Sequence, residues 1–377
     1  MRILLVTHFY PAHGGGVERV AEQLARHMQA QGHELTWAAG DNDPPPGAEV
    51  AAALPMRAFN ALEDLTGFPY PLWSPGSLRR LARAIHASDA VHVHDAIYLG
   101  SLAAAWLAGR AAKPLIVTQH IGTVPLPAGL RPALALVNRL GARVVLRRAR
   151  GVAFISPVVQ RYFESLTGPS ARYRHVPNGV DGTLFRPSMR PRAAIKEALG
   201  LDPAQPVLAF VGRFVPKKRL HLLKEMAEQA PQHWQWLIVG QGPEDPRAWG
   251  LPNVRVREAM PHADLAEHYR AADLLVLPSH GEGFPLVVQE AMACGLPAAI
   301  TAEVAAGGGL PPELWVRLPD HPAAFAHAGV AALRAALELP PSIAEARRRA
   351  CAALAAGSWS WERAASAHLD WIEKAAP

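Results

Sequence analysis

The sequence predicts an α/β protein built from two doubly wound domains, each a parallel sheet covered by helices on both faces. Three observations predict it. The chain has 377 residues, enough for two domains of ordinary size. Short apolar runs alternate with amphipathic segments in both halves, the pattern of parallel strands joined by crossover helices. The alternation restarts after Val176-Pro177-Asn178-Gly179-Val180-Asp181, a turn-rich connector ending near Phe185-Arg186-Pro187.

The elements follow in order. Residues 2–7 read as a buried strand, 17–31 as an amphipathic helix and 34–39 as a second strand. The Pro- and Gly-rich stretch 41–77 reads as loop. Strands are expected at 90–94, 115–118 and 151–155, with a helix over 132–150. The count resumes with a strand at 207–211, a helix at 217–228 and a strand at 236–239. A short helix at 265–271 and a strand at 274–277 precede a Gly-rich loop. Ser360 is the expected N-cap of a last helix that carries Trp371. The expected domains are 1–180, 181–357 and a terminal helix over 358–377.

Composition narrows the class. Half of the residues are hydrophobic and 19% are charged, as in a folded soluble protein. Cys294 and Cys351 form neither a metal-ligand spacing nor a disulfide framework, so a reducing cytoplasm is the expected location. The apolar run at the start, Ile3 to Val6, is too short for a signal-peptide core. No run approaches the roughly eighteen apolar residues of a membrane span.

Charge is uneven. Residues 1–180 hold 18 Lys and Arg against 11 Asp and Glu, and the remainder holds 20 against 21. Ala96 to Phe163 contains nine basic residues and no acidic one. Within it, Arg139, Arg143, Arg147 and Arg150 fall along one helical face beside Leu136, Leu140 and Val144. Two readings stand: a helix on an anionic membrane surface, or a helix packed on the sheet with a solvated Arg face. No aromatic interleaving accompanies the charge, so nucleic acid is not an expected partner.

Four segments carry chemistry. Leu274–Leu277 leads through Pro278-Ser279-His280-Gly281-Glu282-Gly283 into helical spacing at Pro285. A Gly-rich loop from a strand end to a helix N-terminus leaves N–H groups free and aims the helix dipole at an anion such as a diphosphate. Glu290, a turn and a half into that helix, is placed to grip a ribose diol. Gly212-Arg213-Phe214-Val215-Pro216-Lys217-Lys218 sets Arg213 and Lys218 at another strand's carboxyl end, where open parallel sheets bind ligands. A planar fork and a point charge together neutralise a diphosphate. His13-Gly14-Gly15-Gly16 lets backbone approach a ligand closely but lacks the Gly-x-Gly-x-x-Gly spacing of a dinucleotide site. His120 sits just past the strand at 115–118. Asp41-Asn42-Asp43 reads as a solvated turn before three prolines. His92 and His94 alternate on one strand face, with no third ligand at a zinc-like spacing.

Glu282-Gly283-Phe284-Pro285, Glu290-Ala291-Met292-Ala293-Cys294-Gly295 and Leu296-Pro297 resemble glycosyltransferase family 4, the glycosyl transferases group 1. Gly212-Arg213 to Lys218, the Gly run at 14–16, Gly240-Gln241-Gly242-Pro243 and Trp361-Glu362 fall in the same family order. Arg219 departs from the pattern, since the family has Gly there; the departure is expected to alter the loop and leave the charge contact intact.

The resemblance implies a GT-B fold, with two Rossmann-like domains facing across a cleft and the last helix returning to the first domain. It implies a retaining, metal-independent enzyme that moves a hexosyl group from a UDP- or GDP-sugar to a glycan or lipid-linked acceptor. No cofactor beyond that donor is implied. Glu282, Arg213, Lys218 and His120 take the catalytic roles; Gly15, Gly16, Gly212, Gly240, Gly283, Phe284, Pro285, Leu286 and Glu290 bind the donor. Glu282 positions the sugar near its anomeric carbon, and His120 hydrogen-bonds a sugar hydroxyl. The departing phosphate takes the acceptor's proton. The expected location is the cytoplasm; the acid-free stretch 96–163 motivates the further expectation of a peripheral place at the inner face of the cytoplasmic membrane and an acceptor in cell-surface polysaccharide synthesis. A sugar-nucleotide epimerase and a non-catalytic sugar-nucleotide-binding subunit remain as alternatives.

Overall fold

A computed structural model describes residues 1–59, 71–122 and 131–373, with the side chains of 131–138 outside the description. The chain divides into two compact units, Met1–Asn178 with Trp361–Pro377, and Gly179–Ser360.

The first unit is built on seven parallel strands: β1 (Arg2–Val6), β2 (Glu34–Gly40), β3 (Ala52–Met56), β6 (Ala90–His94), β7 (Leu115–Gln119), β8 (Gly151–Phe154) and β9 (Tyr173–His175). Their order in space is β3-β2-β1-β6-β7-β8-β9. A short antiparallel pair, β4 (Ala58–Phe59) and β5 (Leu72–Trp73), stands apart. The helices are α1 (Gly16–Ala30), α2 (Pro75–Ala87), α3 (Leu99–Arg110), α4 (Arg131–Arg148) and α5 (Pro157–Thr167). Central strands are buried on both faces; β1 and β8 therefore read as apolar runs, while β6 and β7 also bury His92, His94, Thr118 and Gln119.

The second unit carries α6 (Arg192–Ala198), β10 (Val207–Val211), α7 (Leu220–Gln229), β11 (Gln235–Val239), β12 (Val254–Arg257), α8 (His262–Ala271), β13 (Leu274–Leu277), α9 (Leu286–Ala293), β14 (Ala298–Ile300), α10 (Ala302–Gly308) and β15 (Trp315–Arg317). The parallel order is β12-β11-β10-β13-β14-β15. Then come α11 (Val330–Leu337), α12 (Pro341–Ser358) and α13 (Trp361–Glu373). The last helix packs against α1 in the first unit. Its Trp371 lies against the backbone of Gly151, where a Cβ would collide with the indole ring.

Three expectations need correction. Residues 41–77 are not all loop: β3 pairs in parallel register with β2 at the sheet edge, and α2 begins at Pro75 behind the N-cap Ser74. An edge strand tolerates Pro55, which hid it in a Pro-rich stretch. The helix expected from residue 217 is broken: Pro216–Lys218 forms one 3-10 turn, and α7 starts only after Arg219. Arg219 itself takes the left-handed conformation (φ 54°, ψ 47°) that glycine enters without strain.

The basic helix is also not a uniform Arg face. Ala142, Val145, Leu146 and Ala149 are buried, and Arg143 Nε donates to the Leu166 carbonyl at 2.7 Å. Leu140 and Val144 are instead exposed, as is Trp106 on the neighbouring α3. Leu136 lies outside the described side chains.

Candidate functional site

An open α/β sheet binds ligands where the strand order reverses, beyond the carboxyl ends of the strands. In the second unit that point lies between β10 and β13, neighbours that run parallel. The loops leaving them therefore lie side by side. His280 N–H donates to the Lys217 carbonyl at 3.2 Å and ties the two together.

Lys218 and Glu282 meet here. Nζ and Oε1 are 2.7 Å apart, with both side chains about nine-tenths buried. The two form a close ion pair. Burial lowers the Lys218 pKa, and Arg213 and Lys217 add repulsion, against the attraction of Glu282. Burial pushes the Glu282 carboxyl up, but Lys218 and Lys217 outweigh it and hold the group below its ordinary value. Arg213 is exposed beside the pair. The arrangement is a charged loop pair with one anion already balanced and further positive charge beside it.

Glycines bring a third strand end into the same place. A Cβ at Gly240, after β11, would strike the Gly212 carbonyl, and one at Gly242 would strike the Phe214 backbone. Phe214 N–H donates to the Gln241 carbonyl at 2.9 Å. Sequence motifs thirty residues apart thus form one surface.

The loop before α9 is braced from behind. Gly281 N–H donates to Glu303 Oε1 at 2.9 Å, and a Cβ at Gly307 would collide with the Gly283 carbonyl. Phe284 is buried over Gly308 and against Trp359, with ring centroids 5.4 Å apart. Its side chain anchors the loop, which leaves backbone as its contribution to a ligand. Pro285 is the N-cap of α9, so Leu286 and Val287 begin the helix with N–H groups that have no intrahelical partner. Glu290 is largely buried, and the buried Tyr269 hydroxyl donates to its Oε2 at 3.1 Å. Sequence reasoning missed Tyr269, Glu303, Gly307 and Gly308, because each acts through a neighbour on another element. Asp273 proves to be a brace, accepting from Arg192, Lys196 and the Val207 N–H.

The first sheet reverses between β1 and β6. Gly15 caps α1 there, and its missing Cβ makes room for the Glu18 carboxylate; Gly16 opens the helix with clear space where a Cβ would stand. Asp95 follows β6 in a left-handed conformation (φ 60°), which Asp tolerates. Its Oδ1 accepts from Gln119 Nε2 and His120 N, both at 2.8 Å, and from Ile121 N at 3.3 Å. Gln119 Oε1 in turn accepts from Ala96 N at 2.9 Å. These bonds stitch the loop holding His120 to the end of β6. Burial raises the Asp95 carboxyl to about 7, against the pull of the backbone donors.

His120 lies within a buried group of imidazoles. His94 Nδ1 is 2.9 Å from His120 Nε2. His92 Nε2 and His368 Nε2 lie 2.7 and 2.8 Å from the Thr118 hydroxyl. Burial lowers His120 to about 3 and His368 to about 4. Among the described residues no set of three His, Cys, Asp or Glu is placed to hold a metal. Asp43 instead meets His13 Nδ1 at 3.2 Å, and Asp41 accepts from Ala58 N at 3.0 Å.

Residues 14–183 match the family model Glycosyltransferase Family 4, and 205–335 match Glycosyl transferases group 1. A D-inositol 3-phosphate glycosyltransferase of a Mycobacterium sp. is 34% identical over 79% of this chain and 71% of its own length. The Segniliparus rotundus protein of the same name is 36% identical over 58% of this chain, a match spanning about half (51%) of that relative.

The chain belongs to glycosyltransferase family 4.

This is a retaining family of GT-B fold. Sucrose-phosphate synthase from Thermosynechococcus elongatus superposes with a TM-score of 0.76 at 21% identity, covering 100% of this chain and 99% of that one. The Anabaena HepE protein in complex with UDP-glucose gives 0.76 at 17% identity, covering 99% and 100%. The protein is thus a glycosyltransferase that takes its sugar from a nucleotide donor.

Proposed function

We propose that this family 4 enzyme transfers a hexosyl group, with retention, from a UDP-hexose to a glycan or lipid-linked acceptor at a membrane surface. The observation that carries the donor half is the Lys218–Glu282 pair beside Arg213 and the N-terminus of α9. Two cations and the first N–H groups of a helix stabilise charge on a departing diphosphate, the work a metal does elsewhere. Glu282, released from part of its pairing when phosphate engages Lys218, orients the sugar. Glu290, held by Tyr269, takes the ribose. Gly212, Gly240 and Gly283 keep side chains out of the way of the nucleotide. Gly15, Gly16 and His120 serve from the first unit, with His120 donating to a sugar hydroxyl. A fold relative described with UDP-glucose supports the uridine donor.

Thermal shifts with UDP, GDP, ADP and NAD test this. A ligand at about 100 times its dissociation constant adds roughly 2.7 kcal/mol. The expected result is a shift with UDP that Arg213→Ala abolishes. A shift with NAD alone, or with no diphosphate, sinks the donor assignment. Conversion of the donor without any acceptor indicates an epimerase instead.

The acceptor half rests on α3 and α4. Trp106 is exposed on α3 with the Arg110 guanidinium 5.0 Å above its ring, and Leu140 and Val144 are exposed on α4, which also exposes Arg139, Arg147 and Arg148. An amphipathic indole beside arginines suits an anionic lipid headgroup layer. No helix among the described residues is long and apolar enough to cross a membrane. Binding to anionic vesicles should fall in an Arg139→Gln/Arg147→Gln/Trp106→Ser variant. Undiminished binding, or efficient transfer to free D-inositol 3-phosphate and none to a lipid-linked glycan, removes the membrane acceptor.

A further inference from the structure

The hydrogen bonds around His120 decide more than its position. The chain from His368 to His92 shows how. His368 Nδ1 is 2.6 Å from the Ala364 carbonyl, which can only accept. Nδ1 therefore carries the proton, and the neutral ring leaves Nε2 as a lone pair. The Thr118 hydroxyl must donate to that lone pair, so it must accept from His92 Nε2–H. His92 Nδ1 is then an unpartnered buried lone pair. Where this core leaves a ring nitrogen without a partner and the bonds force the outcome, the orphan is an acceptor.

The same choice arises at His94. Its Nε2 is buried and unpartnered, while its Nδ1 faces His120 Nε2 at 2.9 Å. If His120 donated, the neutral His94 would carry its proton on Nε2, as an orphaned N–H. Orphaned buried N–H groups are the rarer kind. If His94 donates, the orphan is again a lone pair. Protonating either ring is opposed by burial and by the neighbouring imidazoles, His8, His92 and His368. The Asp95 carboxylate at the end of β6 directs Oδ1 to Gln119 and to the backbone N–H groups of His120 and Ile121.

We propose that His94 is a positioning residue for His120: its Nδ1–H donates to His120 Nε2, so His120 keeps its proton on Nδ1 and offers the substrate a neutral hydrogen-bond donor there. The proposal rests on the reading of His120 as a sugar contact and deepens it. His120 then steadies a sugar oxygen as an N–H donor and does not act as a general base, because the proton-accepting nitrogen is turned inward onto His94.

Long-range ¹H–¹⁵N spectra of protein with ring-labelled histidine test it, with His120 assigned by its loss in His120→Gln. The wild type should show His120 protonated on Nδ1 and bare on Nε2. His94→Leu should redistribute that proton and lower kcat roughly 10²-fold, as misplacement of a reacting-site group does, with little change in donor KM. His94→Asn, whose amide N–H reaches toward Nε2, should restore the tautomer and most of kcat. A wild-type His120 protonated on Nε2 overturns the assignment without any variant having to fold. An unchanged tautomer and kcat in folded His94→Leu overturns the positioning role. A wild-type rate in His120→Gln overturns the sugar-contact reading alone, because the spectra decide the tautomer with no substrate present.

Discussion

At the switch point of the second sheet, Lys218 and Glu282 stand as full charges 2.7 Å apart, with Arg213 exposed beside them. Next to the switch point of the first sheet, His94 and His120 are neutral rings, and burial raises the Asp95 carboxyl to about 7. Topology is shared, since each crevice lies beside the first strand of its sheet. Electrostatics differ because the second unit gathers opposite charges from adjacent loops, whereas the first gathers imidazoles that burial keeps uncharged. A charged edge suits a diphosphate. A neutral, hydrogen-bonded edge suits hydroxyl groups, whose recognition depends on donor and acceptor direction and not on net charge.

The sharpest way to break this contrast is to strip the charge. Lys218→Ala and Arg213→Ala should each lower transfer by about 10²–10³-fold, the scale of losing one charge-stabilising group. Circular dichroism should show the fold retained. Near-normal turnover in both would mean that the diphosphate is held elsewhere.

Next in size is acid sensitivity. A histidine whose folded pKa lies below its unfolded value of about 6.5 refuses a proton that the unfolded chain accepts. Stability is therefore lost as pH falls below about 6.5, until the folded pKa is reached. His368, held at about 4, alone accounts for about 3 kcal/mol over that window. His8, His92, His94 and His120 act in the same direction. Asp95 opposes them: its raised pKa favours the folded state fully below about 4, and that contribution is lost as pH rises toward 7. Five rings outweigh one carboxyl, so the first unit should unfold before the second on acidification to about pH 5. Hydrogen exchange resolved by segment checks the order. Equal loss in both units would remove the claim that the first unit's polar edge is neutral.

The smallest effect concerns Arg219. Relieving its left-handed conformation gains about 1–2 kcal/mol, and glycine's extra unfolded-state freedom takes back about 0.4–1. Arg219→Gly should thus raise stability by about 0–1.6 kcal/mol, read as a small rise in Tm. A loss would show that the Arg219 side chain contributes a contact of its own.

Much of this was legible from residues alone. Apolar runs such as Val207–Val211 and Leu274–Leu277 announced buried parallel strands, because both faces of such strands exclude water. The motifs around Arg213–Lys218 and Glu282–Glu290 marked the loops that carry charge, because a strand end followed by Gly and a helix start is a local signal. Strand β3 escaped, because Ala52-Ala53-Leu54-Pro55-Met56 becomes a strand only by pairing with β2 at an edge. The resemblance marked position 219 as one where the family has Gly, but an arginine by itself does not announce the positive φ that it takes.

By itself the sequence determined the two parallel-sheet units, the family, and the identity of the charged loops. The units follow from periodicity and the charged loops from short-range chemistry, and the family follows from the resemblance of its motifs. Only the tertiary structure decided which groups meet. Lys218 reaches Glu282 because β10 and β13 are neighbours in the sheet. Thr118 reaches His368 across 250 positions of sequence because the last helix folds back onto the first unit. Protonation followed from those meetings, since burial and a single hydrogen-bond partner fix a proton that composition leaves free.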